Sequence, residues 1–271
     1  LLILLGAGLA AGFVAGLVGV GGGVVFTPVL LVYFQQLGVA PTLLPKLTIG
    51  TSLLCTCIAA VASAWSQLRR GAVARRTALW VGVSSALAVF LMTLLVTTRP
   101  WYDATAFQIV FAGVLLVVAL RMVAPARYAA DAAQPFRVPR RGPALFGVGS
   151  VAGVVATAAG VGGGVVLVPS YAGLLRMPIH RAVGTSSATI VLISLAGIAS
   201  YAVLGVHAAD VPATAVGYVD ARGLLLAVPA VFTARLGVWT AHRIRTRPLQ
   251  LLFAALAAFI ALRMLYDVLL D

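Results

Sequence analysis

The chain has 271 residues, of which 62% are hydrophobic and only 9% charged, and its formal net charge is +13. A soluble domain carries about 25% charged residues, so this composition excludes a soluble enzyme or a nucleic-acid binder and requires a polytopic membrane protein, whose apolar runs reach the roughly 20 residues that span a bilayer. All six acids are Asp and Lys46 is the sole lysine, so clusters for metal binding or acid–base catalysis have little to be built from, and the arginines fall in short links between apolar runs, where they act as an orientation signal.

Residues 1–38 form an apolar stretch interrupted by Gly19-Val20-Gly21-Gly22-Gly23. Each glycine costs a helix interior roughly 1 kcal/mol against Ala, so the helix breaks there. The second arm, Val24 to about Leu37, is about 20 Å long if helical, which is short for a crossing. After Pro41 and Pro45, helices are predicted over about 46–67, 77–97 and 101–123. The link Arg69 to Arg76 carries four arginines and belongs in the cytoplasm. So does the basic linker 125–143, with Arg127, Arg137, Arg140 and Arg141 among four prolines at Pro125, Pro135, Pro139 and Pro143. The pattern then restarts: a broken stretch over 144–177 and helices over about 182–205, 222–241 and 248–270. The link His207 to Asp220 has two Asp and no Lys or Arg, which places it outside, whereas His242 to Arg247 is basic and inside.

The restart is a repeat. Gly19 to Pro28 is spelled again from Gly160 to Pro169, Gly12 matches Gly153, Gly50-Thr51-Ser52 matches Gly184-Thr185-Ser186, and Leu120-Arg121-Met122 matches Leu262-Arg263-Met264. The sides allotted to the links require 144–177 to start and end inside, so it is a re-entrant hairpin or two full crossings. A first copy built alike starts outside. The expected architecture is therefore all-α, with inverted repeats over 1–124 and 144–271, each a glycine-broken hairpin (1–38, 144–177) followed by three transmembrane helices.

Broken helices at the midplane expose amides that favour anions, which makes Gly21, Gly22, Gly23, Gly162, Gly163 and Gly164 the first candidates for a substrate site. The competing explanation is close helix packing. Thr48, Thr51 and Ser52, with Thr185, Ser186 and Ser187, offer hydroxyls near the start of the helix after each hairpin, or else bond back to their own helix. Lys46 and His180 stand four residues before Gly50 and Gly184, where each can neutralise an anion or snorkel to the interface. Cys55 and Cys57 lie on different sides of one helix, are not spaced for a disulfide, and are read as small buried side chains. Asp103, Asp210, Asp220 and Asp267 fall near predicted span ends, so a proton relay lacks its usual intramembrane carboxylate. No removable signal is expected at the N-terminus. No Walker-type phosphate loop occurs, and no ATP or other cofactor is expected.

The run from Gly12 to Pro28, Gly-x-x-x-Gly-x-x-Gly-Val-Gly-Gly-Gly-x-x-x-x-Pro, its copy from Gly153 to Pro169, and Ala182-Val183-Gly184-Thr185-Ser186 resemble the TauE/SafE sulfite exporter family, also called toluene-sulfonate uptake permeases. The resemblance covers nearly the whole chain. It implies a bacterial inner-membrane transporter of small sulfur-containing or organic anions such as sulfite, sulfoacetate or other sulfonates. Thr157 stands where Gly16 does in the first copy, so the halves are not equivalent. The expected mechanism is alternating access in a secondary transporter, not an enzyme. The partners are the anion and the lipid bilayer; proton coupling and homo-oligomerisation stay open. The alternatives are an anion channel, or a transporter of thiosulfate or another sulfur compound using Cys55.

Overall fold

The structure, a computed structural model, describes residues 2–98, 102–123, 142–206, 208, 211–241, 243 and 247–270. Residues 125–141 of the predicted basic linker, His207, Asp210 and most of the His242 to Arg247 link lie outside the described residues. The helices are α1 (Leu2–Val18), α2 (Gly23–Gln36), α3 (Leu44–Arg69), α4 (Arg75–Thr98), α5 (Ala104–Val123), α6 (Gly142–Ala159), α7 (Gly164–Pro169), α8 (Ile179–Leu204), α9 (Leu224–Ala241) and α10 (Arg247–Leu270). Six described segments are long and apolar enough to cross a membrane, Leu44–Arg69, Arg75–Thr98, Ala104–Arg121, Gly142–Ala159, Ile179–Leu204 and Ala221–Ala241. The protein is an all-α, multi-pass membrane protein.

Helix boundaries depart from those expected by a few residues, for local reasons. Pro45 sits in the first turn of α3 and not ahead of it, because a missing N–H costs nothing there. Pro178 caps α8, so that helix starts nearly a turn earlier than its apolar pattern suggested. The arm after the second break is only six residues of α-helix, ends at Pro169 and passes into a π-turn over Ser170–Leu174. Arg176, held at φ 51°, then terminates it.

Three packing relations position everything else. α3 and α8 run antiparallel: Gly50 at the head of α3 meets Tyr201 near the tail of α8, and Ser63 Oγ lies 3.0 Å from Ser187 Oγ at the other end. α1 runs parallel to α9, its Gly8, Gly12 and Gly16 pressed on the carbonyls of Leu226, Ala230 and Ala234. α6 runs parallel to α4 in the same way, through Gly149 and Gly153 against Val81 and Ser85. Small residues let backbones approach, and in lipid that packing substitutes for a hydrophobic drive. The outer faces carry exposed Leu79, Trp80, Val83 and Leu87 on α4, and Phe232 and Leu236 on α9, as a lipid-facing surface demands.

The link before α9 is more than a surface loop. A two-stranded hairpin, β1 (Ala215–Val216) and β2 (Val219–Asp220), turns at Gly217 (φ 59°) and tucks onto α3. Asp220 lies at a span end as expected, yet it is fully buried. Its Oδ1 accepts from Thr214 Oγ1 (2.9 Å) and from the Arg222 amide (2.8 Å).

Candidate functional site

Glycine is needed in both breaks for a conformational reason. Gly19, Gly21 and Gly22 have φ of 72°, 85° and 78°, and Gly160, Gly162 and Gly163 have 67°, 73° and 75°. L-residues with a Cβ pay roughly 1–2 kcal/mol each in that region. This left-handed run ends the first arm and turns the chain back along it. A methyl built on Gly22 would stand 2.9 Å from the Ala11 carbonyl, and one on Gly163 2.7 Å from that of Ala152. Each broken stretch is thus folded back on itself.

The two breaks also meet one another. A methyl on Gly23 would lie 2.6 Å from the Gly160 carbonyl oxygen, and one on Gly164 2.5 Å from the Val20 Cα. α2 and α7 therefore begin at a common point. Their first helical bonds run from Val25 and Phe26 to the Gly22 carbonyl, and from Val166 and Leu167 to that of Gly163. Among the described residues, nothing accepts from the amides of Val20 to Val24 or Val161 to Val165. Unpaired amides at helix starts hold partial positive charge.

The first carbonyl of each break is held by a serine from α3 or α8. Ser186 Oγ donates to the Gly19 carbonyl (2.8 Å), and Ser52 Oγ donates to that of Gly160 (2.8 Å). Thr27 supports Ser52, with the hydroxyls 2.8 Å apart. Tyr201 Oη donates to the Thr157 carbonyl and Tyr102 Oη to that of Ala158, so the end of α6 is covered in turn. With the carbonyls of Gly19, Gly22, Gly160 and Gly163 taken and the amides bare, unpaired donors outnumber unpaired acceptors at the breaks, which favours an anion.

The other predicted hydroxyls do different work. Thr51 Oγ1 accepts from the Asp220 amide and Thr185 Oγ1 from the Ala74 amide, each at 3.0 Å, pinning the link that precedes α9 or α4. Ser187 Oγ donates back to the Val183 carbonyl. Thr48 is fully buried, and its hydroxyl has no partner among the described residues. Lys46 Nζ donates to the Thr97 carbonyl (3.0 Å) and lies 5.7 Å from the Tyr218 ring centroid. Tyr218 sits in the link, and burial raises its phenol pKa. His180 is exposed at the head of α8. Because α3 and α8 are antiparallel and 26 residues each, about 39 Å, Lys46 and His180 stand at opposite ends and do not share a ligand. Cys55 Sγ is buried and donates to the Gly223 carbonyl (3.1 Å), and Cys57 is buried beside it in α3. No group of three or more His, Cys, Asp or Glu that could hold a metal occurs among the described residues.

Three further residues, which the sequence alone did not single out, line the breaks. The Thr56 methyl stands 2.9 Å from a methyl built on Gly21 and 2.6 Å from one built on Gly162, so Thr56 touches both breaks. Ile190 touches both from the other side, at 3.1 Å each, and Ser194 Oγ is 3.7 Å from the Gly162 position. The hydroxyls of Thr56 and Ser194 are fully buried without a partner among the described residues. A signal was present: Thr48, Ser52 and Thr56 form one stripe at helical spacing on α3, and Ser186, Ile190 and Ser194 the matching stripe on α8. The isoleucine in the second stripe hid the correspondence.

Residues 4–264 match the family model described as sulfite exporter TauE/SafE. The chain is similar to a probable membrane transporter protein of Methanocaldococcus jannaschii, with 24% identity over 95% of this chain and 92% of that one. It is similar also to one of Haemophilus influenzae, with 26% identity over 97% of both. A third probable membrane transporter, from Bacillus subtilis, is 23% identical over 98% of this chain and 97% of its own length. No solved structure matches. With nearly its whole length covered by the family model, the chain belongs to the sulfite exporter TauE/SafE family of membrane transporters.

Proposed function

We propose that this transporter is a secondary carrier of a small anion, sulfite or an organosulfonate, that crosses the bacterial inner membrane by alternating access between two inverted repeats, residues 1–124 and 144–271. One observation carries the reading: the two glycine breaks abut at one point, with bare amides and the unpartnered hydroxyls of Thr56 and Ser194 around it. An oxyanion of sulfur has several acceptor oxygens and no donor of its own when ionised. Amides of Gly21 to Gly23 and Gly162 to Gly164 and two hydroxyls are complementary to it. A cation would find the Gly19, Gly22, Gly160 and Gly163 carbonyls already taken.

The inverted arrangement draws support from reciprocal contacts. Ser52 reaches across to the second break and Ser186 to the first; Thr51 pins the link before α9 and Thr185 the link before α4. The corresponding helices α3 and α8 run in opposite directions. Two elements so related give one arrangement open to each side, and the exchange moves the anion past the shared point. In this reading Thr51, Ser52, Thr185 and Ser186 hold the breaks in place, Thr48 faces the site from the same stripe, and Lys46 and His180 guard the two mouths. The thiosulfate route through Cys55 has no support of this kind, since its thiol is packed and bonded to Gly223.

The test is a panel of sulfite, thiosulfate, sulfoacetate, sulfolactate and small carboxylates against the purified protein. A substrate at 100 times its Kd stabilises the native state by about 2.7 kcal/mol and raises the melting temperature. The same anion should be taken up by proteoliposomes with saturating kinetics and counterflow. A panel with neither stabilisation nor uptake ends the proposal, and conductance far above carrier rates would replace it with a channel.

A further inference from the structure

α3 and α9 lie side by side and end at the same face, because Gly223, just before α9, packs on Thr51 and Cys55 in the first half of α3. Between their last turns is a groove of about 530 Å³. Arg69 and Arg70 from the tail of α3 and Arg235 from α9 line it, and no acid does so among the described residues. One tryptophan from each helix adds a wall, Trp65 and Trp239. Each carries a cation on its ring: the Arg69 guanidinium is 5.0 Å from the Trp65 centroid, and that of Arg243 is 4.3 Å from the Trp239 centroid. The rest of the groove is hydrocarbon, with Phe232 67% and Leu236 57% exposed.

These features select an occupant. Three arginines without an acid call for an anion. Tryptophan and arginine at a span end place that anion at headgroup level. The exposed wall from Trp239 back to Phe232 then continues about 10 Å into the leaflet, a surface that suits an acyl chain and that a free oxyanion does not use. We propose that the groove binds one anionic phospholipid, its phosphate against Arg69, Arg70 and Arg235 and one acyl chain over Phe232 and Leu236. The site is separate from the glycine breaks, since Arg69 lies about 20 Å along α3 from Thr56. It joins the two helices that meet there, so an occupied groove holds the ends of α3 and α9 together.

The purified full chain, reconstituted in phosphatidylcholine, is titrated with phosphatidylglycerol or phosphatidylcholine carrying brominated acyl chains, which quench nearby tryptophan. The readout needs no transport and so is independent of the substrate. Phosphatidylglycerol should quench half-maximally at a mole fraction at least fivefold lower than phosphatidylcholine. Arg69→Gln and Arg235→Gln should each cost about twofold of that preference, and the double variant should make the curves nearly coincide. Trp65→Phe with Trp239→Phe should remove the selective component. Size-exclusion profile and helical circular dichroism establish that each variant is folded, and the single Arg235→Gln serves if the double variant is not. Millimolar inorganic phosphate should leave the phosphatidylglycerol curve in place. Coincident curves for the native protein, a preference surviving in the folded arginine variants, or its abolition by phosphate, which would assign the groove to free oxyanions, overturns the proposal.

Discussion

Thr56 and Ser194 combine full burial with hydroxyls that bond to nothing described, and a protein with no use for them would lose such groups. A buried, unsatisfied hydroxyl costs roughly 1–3 kcal/mol. Thr56→Val and Ser194→Ala should therefore raise the melting temperature of the ligand-free protein while lowering anion uptake about tenfold. Opposite signs for stability and flux are what a binding role predicts; a stabilised variant with native uptake would return both residues to packing. Ser186→Ala should behave differently, because it strands the buried Gly19 carbonyl, whereas after Ser52→Ala the Gly160 carbonyl keeps its longer bond from Thr27 Oγ1 (3.2 Å) and less is lost. For Ser186→Ala a loss of about 1–3 kcal/mol in stability is expected, read from the melting temperature of the ligand-free protein. Cys55→Ser keeps a donor for the Gly223 carbonyl and should transport normally. Abolished uptake there, with the protein folded, would revive the thiol route.

At the level of elements, the glycine triplets were legible because three adjacent residues without a Cβ contradict a helix in any surroundings. Five of the six spans were legible because apolar length is itself the signal; the sixth, Gly142–Ala159, was expected as the first arm of the broken stretch 144–177. What the breaks touch was not: the small-residue stripe at Gly8, Gly12 and Gly16 says that a backbone comes close but does not say that it is α9. The π-turn after Pro169 and the tucked hairpin at Ala215–Asp220 have no periodicity to betray them. The burial of Asp220 depends on that hairpin. The two classes of glycine should separate in experiment. Gly22→Leu and Gly163→Leu force a side chain into a left-handed position against Ala11 or Ala152 and should abolish uptake while the protein still inserts. Gly12→Leu wedges α1 from α9 and should show first as loss of folded protein in detergent. Native flux in both break variants would remove the breaks from the mechanism.

Considered as a whole, the molecule interlocks the beginning and end of the chain. α1 packs on α9 and α6 on α4, so neither segment buries its broken stretch without the other. This exchange explains how one point draws on both breaks. The direction of each hairpin is the premise on which alternating access depends, and single cysteines test it in a Cys55→Ser, Cys57→Ser background. Thr42→Cys follows the first hairpin and Pro178→Cys the second; Ala213→Cys and Arg76→Cys report the links before α9 and α4. All four positions are exposed. In intact cells a membrane-impermeant thiol reagent should label Thr42→Cys and Ala213→Cys, whereas Arg76→Cys and Pro178→Cys should react only after permeabilisation. Labelling of Thr42→Cys and Pro178→Cys from the same side would mean that both hairpins return to one face, and a carrier built on inverted repeats could not then be assembled from this chain.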